Sequence, residues 1–339
     1  MSDKVEVLIT LPFPEELVDQ LRKISPRLNI TVHKARGPQE VPENIWKRTK
    51  VLYTNRVLPS REQAPNLRWI QFHWAGVDHA TDVPILREEN LIATSLSGVH
   101  APQMAEYVLM MLLALGHHLP IMIEYQKRHE WPKDRWERFS PQELSESTVG
   151  IVGYGSIGRE VARLLSAFGA TILATKRDVM HPEDRGYVPK GRGDPNGELP
   201  RRLYPPQARI SMLKECDYVV ITVPLTTETE GLIGEEQIGA LKEQAYIVDV
   251  SRGGVLDHEA LITALRERRL GGAALDVFST EPLPEGSPLW NFPNVIISPH
   301  VSGNTPFYDE RAVDLFSENL RRYLADLPLY NVIDPERGY

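Results

Sequence analysis

Short apolar runs recur along the first hundred residues, each bounded by polar or proline-containing stretches. VEVLIT (5–10), LNITVH (28–33), KVLYT (50–54), LRWIQF (67–72) and LIATS (91–95) are too short for helices and favour β-branched residues, so they predict strands. Between the first two, Pro14 to Ile24 places Leu17, Leu21 and Ile24 on one helical face. Strand alternating with helix predicts a small parallel sheet covered by helices.

From Ala101 to Gly116 the pattern becomes that of a long helix, opened by Pro102 and closed by Gly116-His117-His118. A second helical stretch, Ile121 to His129, leads into the loop WPKDRWERF, where Trp131, Trp136 and Phe139 suggest a subunit contact. A second strand series follows: TVGIV (148–152), TILAT (171–175), YVVITV (218–223), YIVDV (246–250), GAALDV (272–277) and NVIIS (294–298). Helices lie between most of them, notably His258 to Arg269. Residues 178–207 break the rhythm, being rich in Pro, Gly and charge, and read as a long excursion from the sheet. Pro306 to Ala325 is amphipathic, with Ala312, Phe316, Leu320 and Leu324 at every fourth position. Coming after the last strand, it predicts a return to the first domain. The expected organisation is α/β, with two doubly wound parallel-sheet domains. Residues 1–100 and 304–339 are expected to form one discontinuous domain, with 101–303 as a second domain inserted into it.

Composition narrows the partners. A net charge of −8 offers no basic field for nucleic acid or an anionic membrane. The lone Cys216 excludes an intramolecular disulfide and a cysteine-rich metal site, and no metal is expected. The amino-terminal residues lack the apolar core of a signal peptide, and the apolar Tyr107–Leu115 run is too short to span a bilayer. A cytoplasmic protein is the resulting expectation.

The chemistry centres on Gly153-Tyr-Gly155-Ser-Ile-Gly158, which follows one strand and opens a helix with Val161, Leu164, Leu165 and Phe168 at helical spacing. That context raises G-x-G-x-x-G above a chance match. Gly153 permits the turn, Gly155 lets a pyrophosphate approach backbone, and Gly158 lets helix and strand pack closely. The phosphates would meet N–H groups from Ser156 and Ile157 onward. Polar residues then follow the carboxyl ends of several predicted strands: Lys176-Arg177, Pro224–Thr226, Ser251-Arg252, Asp276 with Glu281, and His300. A parallel sheet brings such ends to one crevice.

Together with the glycine turn, ISMLKECDYVVITVPLTTETEGLI, VDVSRGGVLDHEALITALRERRLGGAALDVFSTEPLP and SPHVSG resemble the D-isomer-specific 2-hydroxyacid dehydrogenases. The resemblance covers most of residues 70–339. It implies a Rossmann domain inserted into a smaller flavodoxin-like one, and a 2-oxoacid reductase using a nicotinamide cofactor. By motif position it implies Arg252, Glu281 and His300 as catalytic residues, with Arg252 also touching substrate. Ala75, Gly76 and Val77 would offer backbone N–H groups to the substrate carboxylate. Asp276 would contact the nicotinamide carboxamide, and Pro224, Thr229, Val250 and Ser251 would line the cofactor cleft. A homodimer through the cofactor domain is also expected.

The residue types suit that chemistry. Hydride delivery to a ketone leaves an alkoxide, which needs a proton donor. Histidine, with an ordinary pKa of about 6.5, serves near neutrality, and Glu281 beside it would favour the imidazolium. Arginine's planar fork matches a carboxylate and its adjacent carbonyl. An acidic residue would normally follow the second strand and hold the ribose of NAD. Here Lys176 and Arg177 stand there instead, so NADP(H) is expected over NAD(H), although Asp178 could substitute for the missing acid. Two other readings keep the fold: a nucleotide-sensing interaction protein and a phosphite-type dehydrogenase. Substrate choice is expected to depend on Trp74, His100, Trp290 and Tyr308.

Overall fold

The β-branched runs become strands because each can bury both faces under helices, which a parallel sheet requires. A computed structural model describes residues 4–77 and 83–334. The chain divides into two compact units: residues 1–99, 185–187 and 305–339, and residues 100–184 with 188–304.

The first unit holds β1 (Val5–Ile9), β2 (Leu28–Val32), β3 (Val51–Thr54), β4 (Trp69–Phe72) and β5 (Ile92–Thr94). They form one parallel sheet in the order β2-β1-β3-β4-β5. Every residue of β3 and β4 is buried. One face packs on the Tyr308–Leu324 helix, whose Val313, Phe316 and Leu320 meet Tyr53 and Trp69. Residues 185–187 of the excursion are counted here because Tyr187 joins Leu96, Val99 and Ala312, and its N–H donates to Asn331 Oδ1 at 3.0 Å.

The second unit holds a seven-stranded parallel sheet in the order β12-β11-β10-β9-β6-β7-β8. Its members are β6 (Thr148–Val152), β7 (Thr171–Thr175), β8 (Arg202–Tyr204), β9 (Tyr218–Ile221), β10 (Ala245–Asp249), β11 (Leu270–Leu275) and β12 (Val295–Ile297). The strand order reverses at β6/β9, the topological switch point where such sheets hold ligands. The Ala101–Gly116 helix packs Met104, Val108 and Leu112 against Val161 and Leu165 of the Ser156–Ala167 helix. Cys216 is fully buried beneath Gly150, and burial pushes its thiol up to about 12. Among the described residues, no single helix is long and apolar enough to cross a membrane.

Only β8 among the strands was absent from the sequence reading. It is a three-residue edge strand of mixed polarity at the end of the excursion, pairing Leu203 with Ala174 of β7.

Candidate active site

The glycine turn joins β6 to the Ser156–Ala167 helix, and its geometry explains its glycines. Gly153 has φ +103°, and a Cβ there would stand 2.7 Å from Val223 Cγ1. A Cβ on Gly158 would collide with the Gly153 carbonyl. One on Gly155, by contrast, would meet nothing within 4 Å. The exposed Gly155 therefore leaves an open cradle beside the helix start, where Ser156 and Ile157 carry N–H groups with no intrahelical acceptor. That combination fits a dinucleotide pyrophosphate.

Neighbouring strand ends complete this edge. Thr222, after β9, donates its hydroxyl to Gly153 O at 2.7 Å. The exposed Pro224 is held by Thr229, whose Oγ1 donates to Pro224 O at 2.6 Å and accepts from Thr226 N–H at 2.8 Å. Val250 and Ser251 are buried directly after β10. Lys176, half-buried after β7, donates Nζ to Asp178 O at 3.1 Å and His181 O at 2.6 Å. Arg177 is exposed and faces Glu228 at 3.8 Å. Asp178 caps its own turn, Oδ1 accepting from Met180 and His181 N–H while Oδ2 meets His181 Nδ1 at 2.7 Å.

On the β10–β12 side two of the three expected catalytic residues meet directly, and the turn bearing the third packs against the same loop. His300 Nδ1 meets Glu281 Oε2 at 2.9 Å, and Glu281 Oε1 accepts the Phe278 N–H at 3.0 Å. Gly253, next to Arg252, lies so close to Phe278 that a Cβ would strike its carbonyl. The loops carrying Arg252 and Glu281 therefore share the Phe278 backbone. Arg252 is half-buried and donates Nη1 to Ser251 O at 2.8 Å.

His300 has φ +53°, a left-handed conformation that costs a non-glycine residue on the order of 1 kcal/mol. Asp276 holds that conformation from below. Fully buried, it accepts Ser298 Oγ and Val301 N–H on Oδ1 (2.5 and 2.9 Å) and Ser302 N–H on Oδ2 (2.9 Å). Its carboxylate is thus turned into the segment bearing His300. Tyr107 hydrogen-bonds Ser298 Oγ at 2.5 Å, and burial pushes its phenol up to about 12.

Beside Asp276 lies Asp249, which sequence reasoning did not select. It is 1% exposed; Oδ1 accepts the N–H and hydroxyl of Ser251 (3.0 and 2.5 Å), and Oδ2 has no partner among the described residues. Burial, with the nearby Asp276 charge, raises it to about 7 despite the Ser251 bonds. Its signal was visible as one carboxylate inside the apolar run YIVDV.

Ala75, Gly76 and Val77 lie in the first unit after β4, where Trp74 O accepts the Leu96 N–H at 3.0 Å. Trp74 and Tyr308, both singled out by position, meet there with ring centroids 5.5 Å apart and planes tilted by 36°, and Tyr308 donates its hydroxyl to His73 O at 2.5 Å. His100 and Trp290 belong to the second unit; His100 Nδ1 lies 3.0 Å from Gly303 O.

Residues 109–302 match the family described as "D-isomer specific 2-hydroxyacid dehydrogenase, NAD binding domain". Over 324 residues the chain is 31% identical to a glyoxylate reductase of Thermofilum pendens, covering 93% of this chain and 90% of that protein. Among solved structures it is similar to a D-isomer specific 2-hydroxyacid dehydrogenase from Xanthobacter autotrophicus Py2 in complex with NADPH and MES (TM-score 0.80, 28% identity, 100% of both chains). It is also similar to an NADPH-dependent glyoxylate/hydroxypyruvate reductase from Sinorhizobium meliloti in complex with NADP and sulfate (TM-score 0.74, 26% identity, 99% of this chain and 100% of that one).

Proposed function

As the chain belongs to the D-isomer specific 2-hydroxyacid dehydrogenase family and is an NAD(P)-dependent enzyme of that family, we propose that it reduces a small 2-oxoacid to a D-2-hydroxyacid, reversibly and with NADPH. The observation that carries this reading is the Glu281–His300 pair, tied through Phe278 to the turn that bears Arg252.

A bound nicotinamide cofactor supplies the hydride. With Nδ1 donating to Glu281, His300 is left to present Nε2, which in the imidazolium delivers a proton to the oxygen that gains charge. Glu281 fixes the ring and offsets the cation. Arg252 orients the substrate carboxylate and its neighbouring carbonyl with a planar fork. Ala75, Gly76 and Val77 of the first unit offer backbone N–H groups suited to a substrate carboxylate. Gly153, Gly155, Ser156, Ile157 and Gly158 hold the pyrophosphate, and Pro224, Thr229, Val250 and Ser251 line the cleft. Asp276 acts here by setting the backbone that carries His300.

Preference for NADP(H) is supported by Lys176 and Arg177 after β7 and by an Asp178 already used as a turn cap. It is also supported by the NADPH and NADP bound in the two similar structures. A steady-state panel of glyoxylate, hydroxypyruvate and bulkier 2-oxoacids with each cofactor tests the proposal. Turnover with higher kcat/KM for NADPH is expected. Cofactor binding without turnover of any 2-oxoacid would remove the reductase reading, and a preference for NADH would remove the cofactor one.

A homodimer through the second unit is part of the same proposal. Met110, Leu119, Ile123 and Trp290 are each more than two-fifths exposed and line an apolar groove of about 810 Å³. Sedimentation of the protein and of Ile123→Asp should give a dimer and a monomer; a monomeric parent rules the dimer out.

A further inference from the structure

We propose that Arg159 is a positioning residue that fastens the excursion onto the dinucleotide turn and thereby sets recognition of the cofactor's 2′-phosphate. The inference rests on the NADP(H) reading above. Arg159 follows Gly158 in the first turn of the Ser156–Ala167 helix, yet it is only 2% exposed. Its Nη1 donates to Asp194 O and its Nη2 to Pro182 O, each at 2.5 Å, while Nε lies 3.5 Å from the Asp184 carboxylate. The guanidinium stacks 4.7 Å above the ring of Tyr154, a member of the glycine turn itself.

Tyr154 reaches the same segment, donating its hydroxyl to Asp194 Oδ2 at 2.6 Å. That carboxylate also accepts the N–H groups of Glu198 and Leu199, at 3.1 and 3.0 Å, where the excursion turns back toward β8. Next along the helix, the buried Glu160 accepts Gly193 N–H at 2.6 Å and faces Arg192 at 3.3 Å. Burying a guanidinium is costly unless its donors find acceptors. Packing a helix on a sheet requires no charge at this position. The acceptors come from residues 182–184 and 194, so this part of the excursion is built around Arg159.

The other end of the segment is tied by Lys176. Two of its three donors are taken by the Asp178 and His181 carbonyls. Desolvation, and then the Arg159 charge, lower its pKa. Lys176 therefore holds the 176–181 turn in shape, and Arg177 on that turn is the more exposed of the two cations. Releasing Arg159 frees residues 182–184 and lets this turn drift, which weakens the hold on a 2′-phosphate while the pyrophosphate cradle at Gly155 stays intact.

Calorimetric binding of adenosine 2′,5′-bisphosphate and of 5′-AMP isolates the 2′-phosphate without turnover. Arg159→Met should weaken the bisphosphate at least about tenfold and 5′-AMP by no more than about threefold, as expected for loss of charge-assisted alignment. Arg159→Lys, which can reach one carbonyl, should recover part of the difference. Should Arg159→Met not fold, Tyr154→Phe keeps the stacked ring, deletes one tie to Asp194, and should act in the same direction more weakly. Equal losses for both ligands, or discrimination unchanged in the variants, would overturn the role of Arg159 alone. A parent protein that binds both ligands equally would overturn the NADP(H) reading and this inference with it.

Discussion

Glu281 gives one carboxylate oxygen to His300 Nδ1, at 2.9 Å, and the other to the Phe278 N–H, at 3.0 Å. Both side chains are well exposed, 44% for His300 and 37% for Glu281, so the pair contributes no more than about 1 kcal/mol to folding. Its importance is orientation and charge. Glu281→Gln retains an acceptor for Phe278 but loses the anion opposite the imidazolium. The reduction rate should drop by about tenfold or more while NADPH still binds. His300→Ala should lower kcat by about two to four orders of magnitude at every pH. Stopped-flow and steady-state pH profiles, with a fluorescence titration of NADPH, check both; near-normal turnover by His300→Ala would take this residue out of the mechanism.

Gly253→Ala tests the shared backbone. The added methyl group strikes the Phe278 carbonyl, so either the Arg252 turn or the loop to Glu281 must shift. A displacement near 1 Å at reacting groups costs about a hundredfold in rate, and the strain costs about 1–3 kcal/mol in stability. Loss of kcat/KM beyond what the thermal shift explains is the expected result; wild-type kinetics in the variant would mean the two loops are independent.

Asp249 predicts a pH-dependent stability. Folded, its carboxyl keeps a proton up to about 7, whereas the ordinary value is 3.8. Between those values the native state holds more protons than the unfolded one. The contribution is therefore complete below the ordinary carboxylate range and is lost as pH rises through about 7. Asp249→Asn keeps an acceptor for Ser251 and cannot ionise. Its unfolding free energy should exceed the parent's above neutrality by on the order of a few kcal/mol, seen as a higher melting temperature, and the gap should close toward about pH 4. Parallel melting curves across this range would show that the carboxyl ionises alike in both states.

The Trp74–Tyr308 ring contact predicts a selectivity change. If Ala75–Val77 hold the substrate carboxylate, trimming the neighbouring Trp74 to Ala should favour bulkier 2-oxoacids over glyoxylate by about ten- to a hundredfold in relative kcat/KM. KM for NADPH should stay put. An unaltered substrate ranking would place the side-chain pocket elsewhere.

Most strands were legible because a buried parallel strand leaves a dense β-branched run, as in YVVIT, and a boundary error moves it by only a residue or two. Arg252, Glu281 and His300 were legible because strand ends in a parallel sheet share one edge. β8 was not, since RLY on a sheet edge needs no apolar alternation. Arg159 and Glu160 carry no signal in the sequence, because they are buried by a segment without periodicity and meet backbone groups that any residue supplies. The turn-pinning bonds of Lys176 were equally invisible, because a basic residue looks alike in sequence whether or not it also holds a turn. Asp276 is expected from its motif to contact the nicotinamide carboxamide; the bonds its oxygens accept from Ser298 Oγ and the Val301 and Ser302 N–H groups leave no mark in the sequence.

Arg252, Glu281 and His300 all belong to the second unit, whereas Trp74 through Val77 and Tyr308 belong to the first. On the roles proposed above, the groups that move a proton and the residues after β4 that would meet the acid therefore come from separate stretches of the chain. A graft of residues 1–99 and 305–339 from a relative with another diet could retrain the enzyme without disturbing how it handles charge. Diversification by exchange, rather than by piecemeal change around a fixed centre, is the route this architecture leaves open.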